Sequence, residues 1–329
     1  MGKGLNMVMR RRFLAVLLPV LFACAGPAAA DDAFPSRPIR LVAGVGAGGA
    51  PDIVARLVGQ FLSERLGQPF VIENRPGAGG NIAAEAVVRA APDGYTLLIA
   101  APSSAINATL YENLKFNFLR DIAPVAAIFT SPEMLVVHPS LPAGTLSELV
   151  ALAKKNPGKL NMASAGNGSG PHLSGVLLMM MSDSAFTHIP YRSGSEALAD
   201  VIAGRVDFTF VASGFAVEQI KAGKMRGVGV TTHSRSQVMP DVPAISETFP
   251  GYESGTWFGL GAPRGTPTPI IQKLNREVNA MLADPKAKAR IAELDGVPLP
   301  GSPEDFGKLV AEETEKKAKI IKASGVKLD

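Results

Sequence analysis

Residues 39–52 read "IRLVAGVGAGGAPD", and their reading decides what kind of fold the chain can make. The run Ile39 to Ala43 is mostly apolar and ends on a glycine-rich loop. Beyond the loop, Ile53, Val54, Leu57, Val58, Phe61 and Leu62 recur at three-and-four spacing until Gly67 and Pro69 stop the pattern. That is a strand, a glycine turn and an amphipathic helix. Gly44, Gly46 and Gly49 satisfy G-x-G-x-x-G, with Glu73 after the next strand in the place of a ribose-binding acid. Two features argue against a nicotinamide site. Pro51 suits the first turn of a helix, so the helix begins after the third glycine instead of containing it. Glu73 runs directly into the turn Asn74-Arg75-Pro76-Gly77. What remains is a loop whose N–H groups can approach an anion at the positive end of a helix.

The same alternation continues along the chain and predicts a parallel-rich α/β fold. "PFVIE" and "YTLLIAA" read as strands around the helix "IAAEAVVRA". A second series opens near residue 131 with the strand "MLVVH", the helix "TLSELVALAKK" and the strand "KLNMAS". There follow the loop "GNGSG", the helix "PHLSGVLLMMM", and the segments "FTHIPY", "SEALADVIAG", "RVDFTFVA", "VEQIKAG" and "MRGVGVTT". The strand "TWFGLGAP" is then followed by helices only, the last opened by Ser302-Pro303-Glu304-Asp305 with acids at its positive end. If those helices pack back on the first unit, the chain crosses between units twice, as in a hinged two-lobe clamp.

Residues 1–30 carry Lys3, Arg10, Arg11 and Arg12 and no acid, then an apolar run from Phe13 to Ala25 and the site Ala28-Ala29-Ala30. This is the pattern of a secretory signal cleaved before Asp31, with an apolar run too short to span a bilayer. Arg10-Arg11-Arg12-Phe13-Leu14 fits the twin-arginine route, and the Sec route stays open beside it. Cys24 leaves a lipidated alternative. The whole chain has 33 basic and 29 acidic residues, so without the signal it carries 29 of each. No basic excess remains for nucleic acid or an anionic membrane surface. Cys24 is the single cysteine, which excludes disulfides and cysteine metal sites from the mature chain. The product reads as a periplasmic globular protein.

"SAGNGSG", Ser164 to Gly170, is a second glycine loop between a strand and a helix. Two such loops facing across a cleft could grip a small carboxylate with no arginine or lysine. Enzyme signals are poor. His138, His172, His188 and His233 form no H-x-x-x-H, and Ser169 lacks a G-x-S-x-G setting. His172 stands out because it opens the helix after "GNGSG" and could bond that loop or the ligand. The charge run "EETEKKAKIIK" (312–322) reads as a solvated helix face. No catalytic residue, metal or cofactor is assigned.

"LGQPFVIENRPGAGGNIAAE", "ASAGNGSGPHLSG", "HIPYRSGSEALADVIAGRVD" and "WFGLGAPRGTP", in that order, resemble the Bug-type receptors. These are periplasmic substrate-binding proteins of tripartite tricarboxylate transporters. The resemblance covers essentially the whole chain after the signal. It implies a type II periplasmic binding protein fold, with two α/β lobes joined by two crossovers: lobe 1 as 31–130 and 256–329, lobe 2 as 131–255. It also implies a solute receptor that performs no chemistry and holds a small carboxylate between its lobes for a membrane permease, the receptor acting as a monomer. A sensor subunit that signals to a membrane kinase remains the alternative.

Carried over by position, the implied contacts are Gly48, Gly49, Ala50 and Asp52 in the first loop, then Ser103 and Asn107 after the third strand. The second lobe supplies Ser164, Ala165, Gly166, Asn167, Gly168, Ser169 and His172, with Tyr191 and Ser193 after "HIP". Asp52 is expected to order its loop more than touch a carboxylate, since like charges repel. The sequence departs from the family pattern at Val45-Gly46, where a bulky apolar residue and a proline are usual, and at Arg192-Ser193 for the usual lysine-glycine. It departs again at Val211-Ala212, where Asp-Asn is frequent. The last change implies a less polar pocket and an acid with an apolar or aromatic body.

Overall fold

The computed structural model describes residues 34–111 and 113–326; the expected signal segment, 1–30, lies outside them. The first unit runs β1 (Ile39–Ala43), α1 (Ala50–Leu66), β2 (Phe70–Asn74), α2 (Asn81–Val88), β3 (Thr96–Ala100), α3 (Ser103–Leu110), α4 (Phe118–Asp121) and β4 (Ile122–Ser131). The second runs β5 (Glu133–Val137), α5 (Leu146–Lys155), β6 (Asn161–Ser164), α6 (Gly170–Ser182), β7 (Thr187–Pro190), α7 (Gly194–Ile202), β8 (Phe208–Ala212), α8 (Ser213–Lys221) and β9 (Arg226–Val230). The chain closes with β10 (Thr256–Pro263), α9 (Thr268–Ala283), α10 (Pro285–Glu293), β11 (Val297–Pro298) and α11 (Pro303–Ser324).

Two sheets result, in the orders β11-β4-β10-β3-β1-β2 and β7-β6-β8-β5-β9. β1 is paired in parallel on both sides and covered on both faces, which is why Ile39, Leu41, Val42 and Ala43 are all buried. α1 lays Val54, Ala55, Val58 and Leu62 on that sheet. It begins at Ala50, one residue past the third glycine, with Pro51 in its first turn. It ends on Gly67 at φ 69°, whose N–H returns to the Ser63 carbonyl.

The parallel-rich expectation needs correcting, because only four of the nine pairings are parallel. The reason lies in the crossings. β4 leaves the first sheet and becomes β5 of the second with Pro132 alone between them, and β10 brings the chain back beside β4. An outgoing and a returning strand that lie side by side must be antiparallel. The expectation of helices only after β10 is also overturned. β11, two residues long, pairs with β4 through Val297 and Pro298 at the sheet edge, where a missing N–H is tolerated. Two residues carry no alternation that a sequence could reveal.

The final helices do return to the first sheet. The Phe306 ring fills the space over Gly259 of β10, where a Cβ would collide with it, and meets Trp257 edge-on at 5.8 Å. Farther along α11, Ile321 packs with Ile106 and Leu110 of α3 and with Leu173 and Val176 of α6, so one helix touches both units. The run 312–322 is therefore not solvated throughout: Lys317 and Ile321 are buried. Phe306→Ala is expected to remove about 3–5 kcal/mol of stability in denaturant unfolding. A loss below about 1 kcal/mol would show that α11 is not anchored through this ring.

Candidate ligand-binding cleft

The carboxyl ends of the parallel strands in both sheets face one cavity of about 190 Å³. In α/β sheets this is where helices begin, and here six of them begin around one space. Ala50 of α1, Ser103 of α3, Gly170 of α6 and Gly194 of α7 line it as first helical residues. Gly80 before α2 and Ala212 before α8 complete the ring. The first N–H groups of a helix have no partner inside it, and each helix start carries about half a positive charge. Among the described residues the cavity is lined by no lysine or arginine, and Glu133 is its one charged residue. Most of the remaining wall is apolar, from Val45, Leu98, Ile99, Leu198, Phe210, Val211, Phe215 and Phe258, with Ser104, Ser195 and Thr256 as polar exceptions.

Loops from the two units meet at the rim. Gly79, at φ 60°, stands against the Asn167 carbonyl, and Gly168, at φ 77°, stands against the Asn107 side chain. A Cβ at Gly79 would strike the Asn167 carbonyl, and one at Gly168 the Asn107 side chain of α3, so glycine is needed there both for the left-handed backbone and for the approach. Asn107 Nδ2 donates to the Gly79 carbonyl at 3.0 Å and to Asn81 Oδ1 at 2.9 Å, pinning the "GAGG" turn from behind.

Gly48, Ala50, Ser103, Ala165 and Ser169 line the cavity, while Gly166, Asn167 and Tyr191 line an adjoining opening that shares Gly79 and Gly80 with it. The other residues singled out from sequence lie behind the wall. Gly49 is the N-cap of α1, and Ser193 Oγ accepts from the Glu196 N–H as the N-cap of α7. Asp52 is turned away from the cavity. Its Oδ2 accepts from the Gly48 N–H at 2.9 Å, and Arg56 and Asn74 bond it as well. Burial would raise the pKa of Asp52, but the bonds from Arg56, Gly48 and Asn74 outweigh it and hold the carboxyl below its ordinary value.

The second loop rests on a pair of histidines. His172 Nδ1 accepts from the Gly168 N–H at 3.2 Å, and His188 Nε2 lies 2.6 Å from Ser164 Oγ, which also takes the Gly166 N–H. The two rings stack with centroids 4.0 Å apart. Burial lowers His172 to about 4; burial and then the neighbouring His172 lower His188 to about 3. Both are neutral acceptors and donors at neutral pH, and Gly168 fixes the tautomer of His172.

Several lining residues were not anticipated. Gly79 and Gly80 belong to "NRPGAGGN", which repeats the strand–glycine–helix pattern of the other two loops and so was open to the same reasoning. Glu133 also left a signal, as an acid at the head of the otherwise apolar "EMLVV". Ser195, Thr256, Phe210 and Phe258 left none, because only the fold brings them to one space.

Two α/β lobes, two crossing strands and a cleft at the strands' carboxyl ends define a type II periplasmic binding protein. The chain belongs to the tripartite tricarboxylate transporter family receptors, whose profile matches residues 54–326. It is 33% identical over 322 residues to protein BugT of Bordetella pertussis, across 96% of this chain and 98% of that one. Rpa4515 of R. palustris, solved with adipate, is 36% identical with a TM-score of 0.86, over 89% of this chain and 99% of the other. MatC of Rhodopseudomonas palustris, solved with bound malate, is 33% identical with a TM-score of 0.84, over 88% and 100%. The chain is a solute receptor of the Bug type and not an enzyme.

The histidine pair generates a pH prediction. An unfolded histidine titrates near 6.5, whereas these two stay neutral in the folded state down to about 4 and about 3. Below pH 6.5 the unfolded chain therefore binds protons that the folded chain does not, so stability is full above 6.5 and falls as the pH drops toward 4. The melting temperature should fall between pH 6.5 and 5, and fall less in His188→Gln. Equal slopes in the two proteins would show that the pair does not titrate on unfolding.

Proposed function

We propose that the cleft captures a small carboxylate with an apolar body and presents it to the membrane permease of a tripartite tricarboxylate-type transporter. One observation carries the reading: six helix N-termini converge on a cavity whose remaining wall is largely apolar. The carboxylate takes the N–H groups at the starts of α1, α3, α6 and α7, with the hydroxyls of Ser103 and Ser169 beside them. In a dry cleft such charge-assisted hydrogen bonds are strong without a cationic side chain. The body of the acid lies on Phe210, Val211, Phe215 and Phe258.

Size is consistent with this. An apolar cavity of about 150 Å³ takes up benzene, so about 190 Å³ suits a six-carbon diacid or an aromatic acid. Adipate and malate, found in the two related receptors, are both small dicarboxylates. Asp52, Asn107, Ser164, Gly168, His172 and Ser193 hold the loops that make the contacts. The lobes are 31–130 with 256–329, and 131–255. They close as a monomer in the periplasm, which the chain reaches by a cleaved signal through the Sec or twin-arginine route.

Isothermal titration of the mature protein with adipate, malate, benzoate and aspartate tests this reading. An acid without an amine should bind at least tenfold tighter than aspartate, whose ammonium finds no partner in the wall apart from Glu133. Tighter binding of aspartate would overturn the apolar-body assignment.

A further inference from the structure

Among the described residues Glu133 is the one charged residue lining the cavity, and a cleft that captures anions has no evident use for it. It is buried at the head of β5, one residue past the first crossing. Its Oε2 accepts from Ser174 Oγ of α6, which lies 2.7 Å from Ser254 Oγ at the second crossing. Oε1 lies beside Gly170, 2.8 Å from where a Cβ would stand, and receives no hydrogen bond from the described residues. One oxygen is thus tied to the wall, and the other is left at the N-terminus of α6, where the proposed carboxylate would sit.

The other ionisable groups around it are few. Lys317 of α11 acts on it from one side while reaching Glu313 at 3.6 Å, and Tyr252 donates its hydroxyl to the Ser174 carbonyl at 2.9 Å. His172 of α6 is turned to Gly168 and His188.

Two carboxylates that share a water-poor site cannot both stay ionised; one must take a proton. We propose that Glu133 is a specificity-determining residue that meets the ligand's carboxylate as a neutral acid and donates to it through Oε1, so that binding takes up one proton. The inference rests on the carboxylate reading of the cleft. Burial already raises the Glu133 carboxyl to about 6, against the opposing pull of Ser174 and Lys317, so the proton is readily acquired near neutral pH. The same group sets ligand choice. A neutral acid favours a carboxylate oxygen, whereas an ionised one would favour an ammonium.

Calorimetry of the mature protein with whichever of adipate, malate and benzoate binds provides the test, at pH 6.5, 7.5 and 8.5 and in two buffers of different ionisation heat. The buffer dependence at pH 7.5 should report uptake of about one proton, and affinity should weaken about tenfold per pH unit above 6.5. Glu133→Gln keeps a donor and cannot ionise. It should flatten the pH profile and bind at pH 8.5 at least as tightly as the parent, with its melting temperature as the check on folding. The proton count needs no variant. Binding without proton uptake and with a flat profile would overturn the proposal alone, as would an acid that binds tighter at pH 8.5 once an amine is added to it. Failure of all three acids to bind at any pH would overturn the carboxylate reading and this inference with it.

Discussion

Among the described residues the cavity is lined by no lysine or arginine, so the proposed carboxylate must be met by neutral donors: backbone N–H groups at helix starts, with the hydroxyls of Ser103 and Ser169 beside them. The requirement orders much of the structure. N–H groups free of helical partners exist only in the first turn of a helix, so the receptor needs many helices to begin at one place. Parallel strands provide this, because each strand delivers the chain to the same edge before its helix runs back. β1, β3, β6 and β8 all end at the cleft, and α1, α3, α6 and α8 all start there. The glycine loops let the backbone come close, and Asp52, Asn107 and the His172–His188 pair spend their own hydrogen bonds on holding those loops in shape.

The crossings set the second constraint. β4 and β10 run side by side over Thr256–Pro263, and their inner ends, Ser131 and Thr256, face one another. Beside this double strand further contacts join the two lobes. Some are apolar: Phe215 of α8 packs against the cores of both lobes, and Gly214 stands against Leu294. Others are polar. Ser131 Oγ donates to the Leu294 carbonyl at 3.0 Å, and Asp295 accepts from Ser213 and Ser236 at 2.5 and 2.6 Å. Such bonds can exchange with water at modest net energy, about 1 kcal/mol each. On the far side α11 touches both α3 and α6, so the crossings are flanked by a helix that belongs to neither of them.

Most of the fold was legible because each element is stated locally. "IRLVA" is a doubly buried parallel strand, Pro51 dates the start of α1, and Ser302 to Asp305 form the capping box that opens α11. What failed was non-local. β11 has two residues and no periodicity, and the antiparallel crossings depend on which strand returns beside which. Lys317 looked like part of a solvated face because its neighbours in sequence are charged; the face it lies on is set by packing between two lobes. The cleft divides the same way. Its glycine loops were readable, since a strand, glycines and a helix in succession have one geometric meaning. Its apolar wall was not, because Phe210 and Phe258 come from strands 48 positions apart in the chain.

Glu133 and the pair Val211-Ala212 connect these two levels. The resemblance implied that losing an acid and an amide at 211–212 would leave a pocket less polar than usual, and the wall there is indeed apolar. Yet Ala212 is the cross-strand partner of Glu133. Opposed residues on neighbouring strands point to the same face, so an acid stands on the cavity side beside the position that lacks one. Reading either strand alone gives half of the pocket's character: β8 reports an apolar wall, and β5 reports a buried acid. Only the register shows that they are one surface, with a single ionisable group set in an apolar patch. Under the proposed reading, a ligand offers an apolar body to one part of this surface and an oxygen to Glu133, which is a narrower demand than either strand makes by itself.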